Sequence, residues 1–129
     1  MKIKYEYPPN IEEIRANFQL HKGIIFTYGD TLYIPDRGKI DEALIKHEET
    51  HTRQQGDTPD EWWQRYFIDK EFRIEQETEA YRNQYKYALE NYNRQKRKYL
   101  LKVISEDLSS AMYGNVMTKE EAKETITNL

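Results

Sequence analysis

The chain has 129 residues, a third of them charged, and a mean hydropathy of −1.04. That is one domain's worth with an economical core, helped by eleven Tyr, four Phe and two Trp, each able to bury a large area. A formal charge of −3 argues against an electrostatically driven nucleic-acid binder, and the absence of Cys excludes disulfides and thiolate metal sites.

Any metal must therefore be held by His and carboxylates. No apolar run approaches the ~20 residues of a membrane span, and the start lacks a signal-peptide apolar region. An intracellular protein with no membrane partner is the expectation.

Ile3, Tyr5 and Tyr7 alternate with Lys2, Lys4 and Glu6, the period of a half-buried strand. Pro8-Pro9 stops it. Asn10 and Glu13 have the spacing of a helix start, Ile11, Ile14 and Phe18 give helical periodicity, and Gly23 is placed to end the helix. Ile24 to Tyr28, the turn Gly29-Asp30 and Thr31 to Ile34 read as a hairpin closed by Pro35. A small antiparallel sheet is predicted.

Asp41 is the next helix cap, with Ile40 able to pack on Ile45. Leu44, His47, Glu48, His51 and Gln55 then follow the spacing of one inward stripe. Polar groups on such a stripe must be satisfied, and a metal ion would do so. His47-Glu48-Glu49-Thr50-His51 is the H-E-x-x-H motif. On a helix its two imidazoles share a face, and Glu48 lies about 100° round from His47, within reach of a water as general base.

Gly56-Asp57 ends this helix. Thr58, Pro59 and Glu61 signal another start, with Glu61 closing a capping box. Trp62, Trp63, Tyr66 and Phe67 read as core and lid packing rather than a ligand platform. From about Asp69 to Lys98 there is no Gly or Pro, so one long helix is predicted, with Arg94 to Lys98 as its solvated basic end. Leu100, Leu101, Val103, Ile104 and Leu108 carry a further apolar face. Tyr113-Gly114 marks a stop, and Thr118 with Glu121 opens a closing helix bearing Ala122, Ile126 and Leu129.

Two histidines need a third ligand. His21, the one other histidine, reads as a helix-end or surface residue. Among Glu75, Glu77 and Glu79, only Glu77 shares a helical face with Ile74, Ala80, Tyr81, Gln84 and Ala88; the other two lie about 160° away. Arg73, on the same face, is the alternative partner for a buried Glu77.

His47 to His51 followed by Thr52-Arg53-Gln54-Gln55, then Trp62-Trp63, then Glu77-Thr78-Glu79-Ala80-Tyr81, resembles zincin-type metallopeptidases of the gluzincin sort. More narrowly, it is similar to small H-E-x-x-H proteins of tailed phages and prophages, which share a tail like Asp107 to Gly114. The resemblance covers about residues 23–126. It implies a third ligand at the first Glu of an E-x-x-A pattern, here Glu77 followed by Ala80, in agreement with the helical phase. It departs at Tyr81, where many relatives carry an Asp that orients a zinc-binding histidine. A tyrosine hydroxyl there is expected either to substitute as a hydrogen-bond donor or to help polarise a carbonyl.

The fold expected is thus α+β and mainly helical: a single minimal zincin-like domain, 1–129, with the small sheet packed on the motif helix. The function expected is hydrolysis of a peptide or other amide bond with one Zn²⁺ per chain. His47, His51 and Glu77 hold the metal and Glu48 is the base. Tyr81, Arg73 or another donor meets the oxyanion, and an extended substrate adds to the hairpin edge. A non-catalytic zinc-stabilised module is the alternative, favoured by a short chain with little wall for a deep pocket. A chance occurrence of the motif is a third.

Overall fold

Three short strands and six helices build the computed structural model, which describes all 129 residues. They are β1 (Lys2–Lys4), α1 (Ile11–Asn17), β2 (Phe26–Tyr28), β3 (Thr31–Tyr33), α2 (Glu42–Gln55), α3 (Pro59–Ile68), α4 (Lys70–Asn91), α5 (Arg94–Leu108) and α6 (Lys119–Thr127), with a 3-10 turn at Ala111–Tyr113. The class is α+β and mainly helical. No helix is long and apolar enough to cross a membrane.

The hairpin forms where expected, with Gly29 at φ +60° supplying the left-handed turn residue. The sheet is nevertheless mixed rather than antiparallel. Its order is β1-β3-β2, and β1 runs parallel to β3 with Ile3 opposite Leu32. The first strand ends at Lys4, and the chain bends at Tyr5-Glu6 before Pro8-Pro9 is reached. Helix α1 then carries the chain across, and the hairpin returns its second strand beside β1 in the same direction. The first strand is also not half-buried. All three of its residues are exposed, Ile3 by 45%, because no element lies over it.

Helix α1 ends at Asn17, before Gly23 is reached, and Asn10 does not cap it. The Asn10 side chain is buried instead, with neither amide atom hydrogen-bonded. The predicted box at Thr58 is likewise absent. The connection from α2 to α3 is so tight that the Thr58 hydroxyl turns back to the Gln55 carbonyl, at 3.4 Å. Pro59 still occupies the first turn of α3. By contrast Asp41 caps α2 through the Leu44 N–H (3.1 Å), and Thr118 and Glu121 form their reciprocal box.

The long helix predicted over residues 69–98 is two helices. Tyr92 leaves helical geometry at ψ 151°, and the Asn93 side chain accepts from the Lys96 N–H to start α5. The Tyr92 hydroxyl meets the Ala43 N–H at 3.2 Å, so the break is tied to the start of α2. Arg94 to Lys98 therefore open a helix rather than close one. Their charge lies at the unfavourable end of its dipole.

Helices α2 and α4 pack side by side, with Ala43, Ala80 and Ala88 fully buried; small side chains of this kind allow a short interaxial distance. Two apolar clusters flank this pair. One joins Ile14, Phe26 and Tyr33 to the α3 aromatics Trp62, Trp63, Tyr66 and Phe67. The other joins Tyr81 to Leu101, Ile104 and Leu108 of α5, Tyr113, and Ala122 and Ile126 of α6. Glu77 lies on α4 between the tyrosines of the two clusters.

Candidate metal centre

The inward stripe of α2 carries its polar groups into the protein. His47, Glu48, His51 and Gln55 are all at most 7% exposed, and so is Glu77 across the helix interface. His47 Nε2 lies 3.1 Å from Glu77 Oε1, His51 Nε2 lies 3.2 Å from the same oxygen, and the two Nε2 atoms are 3.2 Å apart. This near-equilateral triangle approaches the separation of about 3.3 Å between ligand atoms around a tetrahedral ion with bonds of roughly 2.0–2.1 Å.

The outer atoms of the same three side chains are each engaged. His47 Nδ1 lies 3.0 Å from Gln84 Oε1 and His51 Nδ1 2.8 Å from Gln54 Oε1. The Gln54 amide is held in that sense because its Nε2 donates to the Gln76 carbonyl and to Glu79 Oε1. An amide oxygen only accepts, so each Nδ1 carries a proton, and with no second proton each imidazole turns the lone pair of Nε2 inward. The Tyr66 hydroxyl donates to Glu77 Oε2 at 2.6 Å, leaving Oε1 to face the histidines. Three acceptors then meet at one point, an arrangement that needs positive charge between them. A divalent ion fits this donor set, and these three residues form the group able to hold one.

Protons are the other source of that charge. Burial acts to lower the pKa of His51, but the charge and hydrogen bond of Glu77 and the charge of Glu48 outweigh it and raise it from 6.5 to about 9. The two histidines overcome burial in the opposite sense at Glu77, whose carboxyl is held well below the usual range. Burial, with the Glu77 charge, keeps the Tyr66 hydroxyl far above its ordinary value, so it stays a donor.

Glu48 faces the same cavity. Thr27 of β2 donates to its Oε2 at 2.5 Å, and Oε1 has no protein partner. The cavity itself has a volume of about 760 Å³. The α1–β2 connection, residues 39–41 and α5 all contribute to its walls, so the short chain does build a sizeable cavity. The hairpin edge is less open than expected. The Thr27 carbonyl accepts from both Gln55 Nε2 (3.0 Å) and Trp63 Nε1 (3.1 Å), which uses both lone pairs and blocks strand addition there.

The remaining sequence candidates separate. Tyr81 lines the cavity, its ring edge-on to His47 with centroids 4.6 Å apart and its hydroxyl 3.4 Å from that of Tyr113. Arg73 lies elsewhere. Its guanidinium donates to the carbonyls of Tyr66 and Phe67, both at 2.8 Å, and of Met112 at 3.4 Å, and it does not line the cavity. Glu77 is paired with His47, His51 and Tyr66, not with Arg73. His21 lies at the cavity wall, exposed, with Nδ1 2.9 Å from the Lys22 carbonyl. Sequence reading missed the partners Gln54, Gln84, Tyr66 and Thr27. Gln84 alone carried a signal, since it shares the stripe of Glu77.

Gln84→Leu should leave the His47 Nδ1–H without its acceptor. It is expected to weaken divalent-metal affinity about 10–100-fold while the fold persists. Competition against a chromophoric chelator measures this, and an unchanged affinity would show that His47 needs no such anchor. Comparison of the chain with protein-family models, with curated proteins and with solved structures gives no match.

Proposed function

We propose that this protein is a zinc-dependent hydrolase of peptide or related amide bonds. The observation that carries the reading is the inward convergence of His47 Nε2, His51 Nε2 and Glu77 Oε1 beside a sizeable cavity. A zinc ion held by these atoms supplies Lewis acidity and lowers the pKa of a bound water toward ~7.

The protein's own groups do the rest. Gln84 and Gln54 fix both imidazoles in the ligating tautomer, and Tyr66 fixes Glu77 through its other oxygen. Glu48 accepts the proton of the attacking water on Oε1, the oxygen that Thr27 leaves free. As the C–O bond forms and the C–N bond breaks, Glu48 returns that proton to the leaving amine. Tyr81 and Tyr113, which line the cavity and bring their hydroxyls within 3.4 Å of each other, are the donors for the developing oxyanion. Arg73, committed to backbone carbonyls, has no part in the reaction. Three protein ligands and an adjoining cavity favour this reading over a closed structural site, which takes four.

Metal analysis tests it. Purified protein, reconstituted with zinc if necessary, is expected to hold one equivalent of divalent metal, while His47→Ala and Glu77→Ala hold far less. A wild-type chain that takes up none after reconstitution would overturn both the enzyme and the metal site.

A further inference from the structure

Tyr66 stands between two residues of α4 that lie one turn apart. Its hydroxyl donates to Glu77 Oε2, and its backbone carbonyl accepts from Arg73 Nε at 2.8 Å. Arg73 also donates from Nη2 to the Phe67 carbonyl (2.8 Å) and from Nη1 to the Met112 carbonyl (3.4 Å). Tyr66 and Phe67 belong to the last turn of α3, where carbonyls have no partner further along the helix. A guanidinium suits this place as a donor fork for those oxygens and as a cation at the negative end of the helix dipole. The rings of Phe18 and Tyr66 flank it, with Cζ 4.9 and 5.5 Å from their centroids. Only Asp69 separates α3 from α4, so the Arg73 clamp acts directly on the angle at which Tyr66 meets Glu77.

We infer that Arg73 is a positioning residue for the metal centre: by gripping the end of α3 it keeps the Tyr66 hydroxyl on Glu77 Oε2, and so keeps Oε1 turned to the two histidines. The inference rests on the metal-binding part of the reading above and not on hydrolysis. Arg73 acts without touching metal, substrate or reacting atoms. Its path runs through Tyr66, which returns to α4 one turn further on.

Zinc affinity is measured by competition with a chromophoric chelator on wild type, Arg73→Lys, Tyr66→Phe and the double variant. Lysine keeps the charge but cannot span the three carbonyls as the planar fork does. Each single variant is expected to weaken zinc binding about tenfold. The double variant should lose no more than Tyr66→Phe alone, because both changes cut one path. Cobalt(II) in place of zinc gives a visible spectrum that reads ligand geometry, and the two single variants should shift it alike. A role in folding alone would lower the thermal midpoint and leave the affinity and spectrum of the folded protein as in wild type. Unchanged zinc affinity in folded Arg73→Lys, or losses that add in the double variant, would overturn the inference. So would a Tyr66→Phe protein with wild-type affinity and spectrum, whatever Arg73→Lys does to the fold. Failure confined to these variants removes only the role of Arg73, whereas wild-type protein that binds no zinc removes the metal site and this role with it.

Discussion

Glu48→Gln is expected to leave zinc content unchanged and to reduce peptide hydrolysis about 10²–10⁴-fold, the range general-base catalysis contributes. The substitution keeps the shape of the side chain. Thr27 can still donate to the amide oxygen, so its hydrogen bond to position 48 survives and β2 stays against α2. The lost property is proton acceptance at the second oxygen, because an amide nitrogen cannot take the proton of the attacking water. Steady-state turnover on a broad peptide mixture, measured beside metal content, checks this. A Glu48→Gln protein that cleaves as well as wild type would remove Glu48 as the base. A wild-type protein that binds metal stoichiometrically and cleaves nothing would favour the non-catalytic zinc module.

The part of this site that was legible in the sequence is the part carried by single helices. The start of α2 at Asp41, its end at Gly56 and the phase of His47, Glu48 and His51 all follow from local periodicity and capping. The phase of Glu77 within α4 did so as well. Contacts between elements were not legible in this way. Tyr66 reaches Glu77 across the turn at Asp69, where α3 ends and α4 begins, so their meeting depends on the angle between two helices. Gln54 acts through a bond network that also holds Gln76 and Glu79 on α4. The cavity depends on α5 folding back along α4, and that requires the break at Tyr92. An uninterrupted run of helix formers concealed that break, although Asn93 is a good cap. The same break reversed the meaning of the basic run that follows it. Arg73 shows the limit of phase arguments: it shares the stripe of Glu77, but its long side chain reaches past the site to the end of α3.

The pH response follows from the raised pKa of His51. In metal-free protein, protonated His51 paired with ionised Glu77 is the charge arrangement that stabilises the site. His51 moves from 6.5 to about 9 on folding, so its contribution is fully present below pH 6.5 and is lost as pH rises through about 9. Glu77 moves the other way: its contribution is present above the ordinary carboxyl value of 4.5 and is lost as pH falls through its lowered one. The two shifts describe one interaction and count once. Between pH 6.5 and 9 the metal-free protein should therefore lose stability, by roughly 3 kcal/mol in all. Zinc affinity should move in the opposite direction. Each ion bound must displace the His51 proton, so apparent affinity should rise about tenfold per pH unit across that window, about 300-fold in total. Denaturant midpoints of chelator-treated protein and competitive zinc titrations at pH 6.5, 7.5 and 8.5 measure the two slopes. Glu77→Gln removes the foremost charge that holds the His51 proton, leaving Glu48 and Gln54 to oppose burial, and should shrink the fall in metal-free stability over this range. Slopes of the same sign, or a zinc affinity flat with pH, would show that His51 holds no proton for the metal to displace.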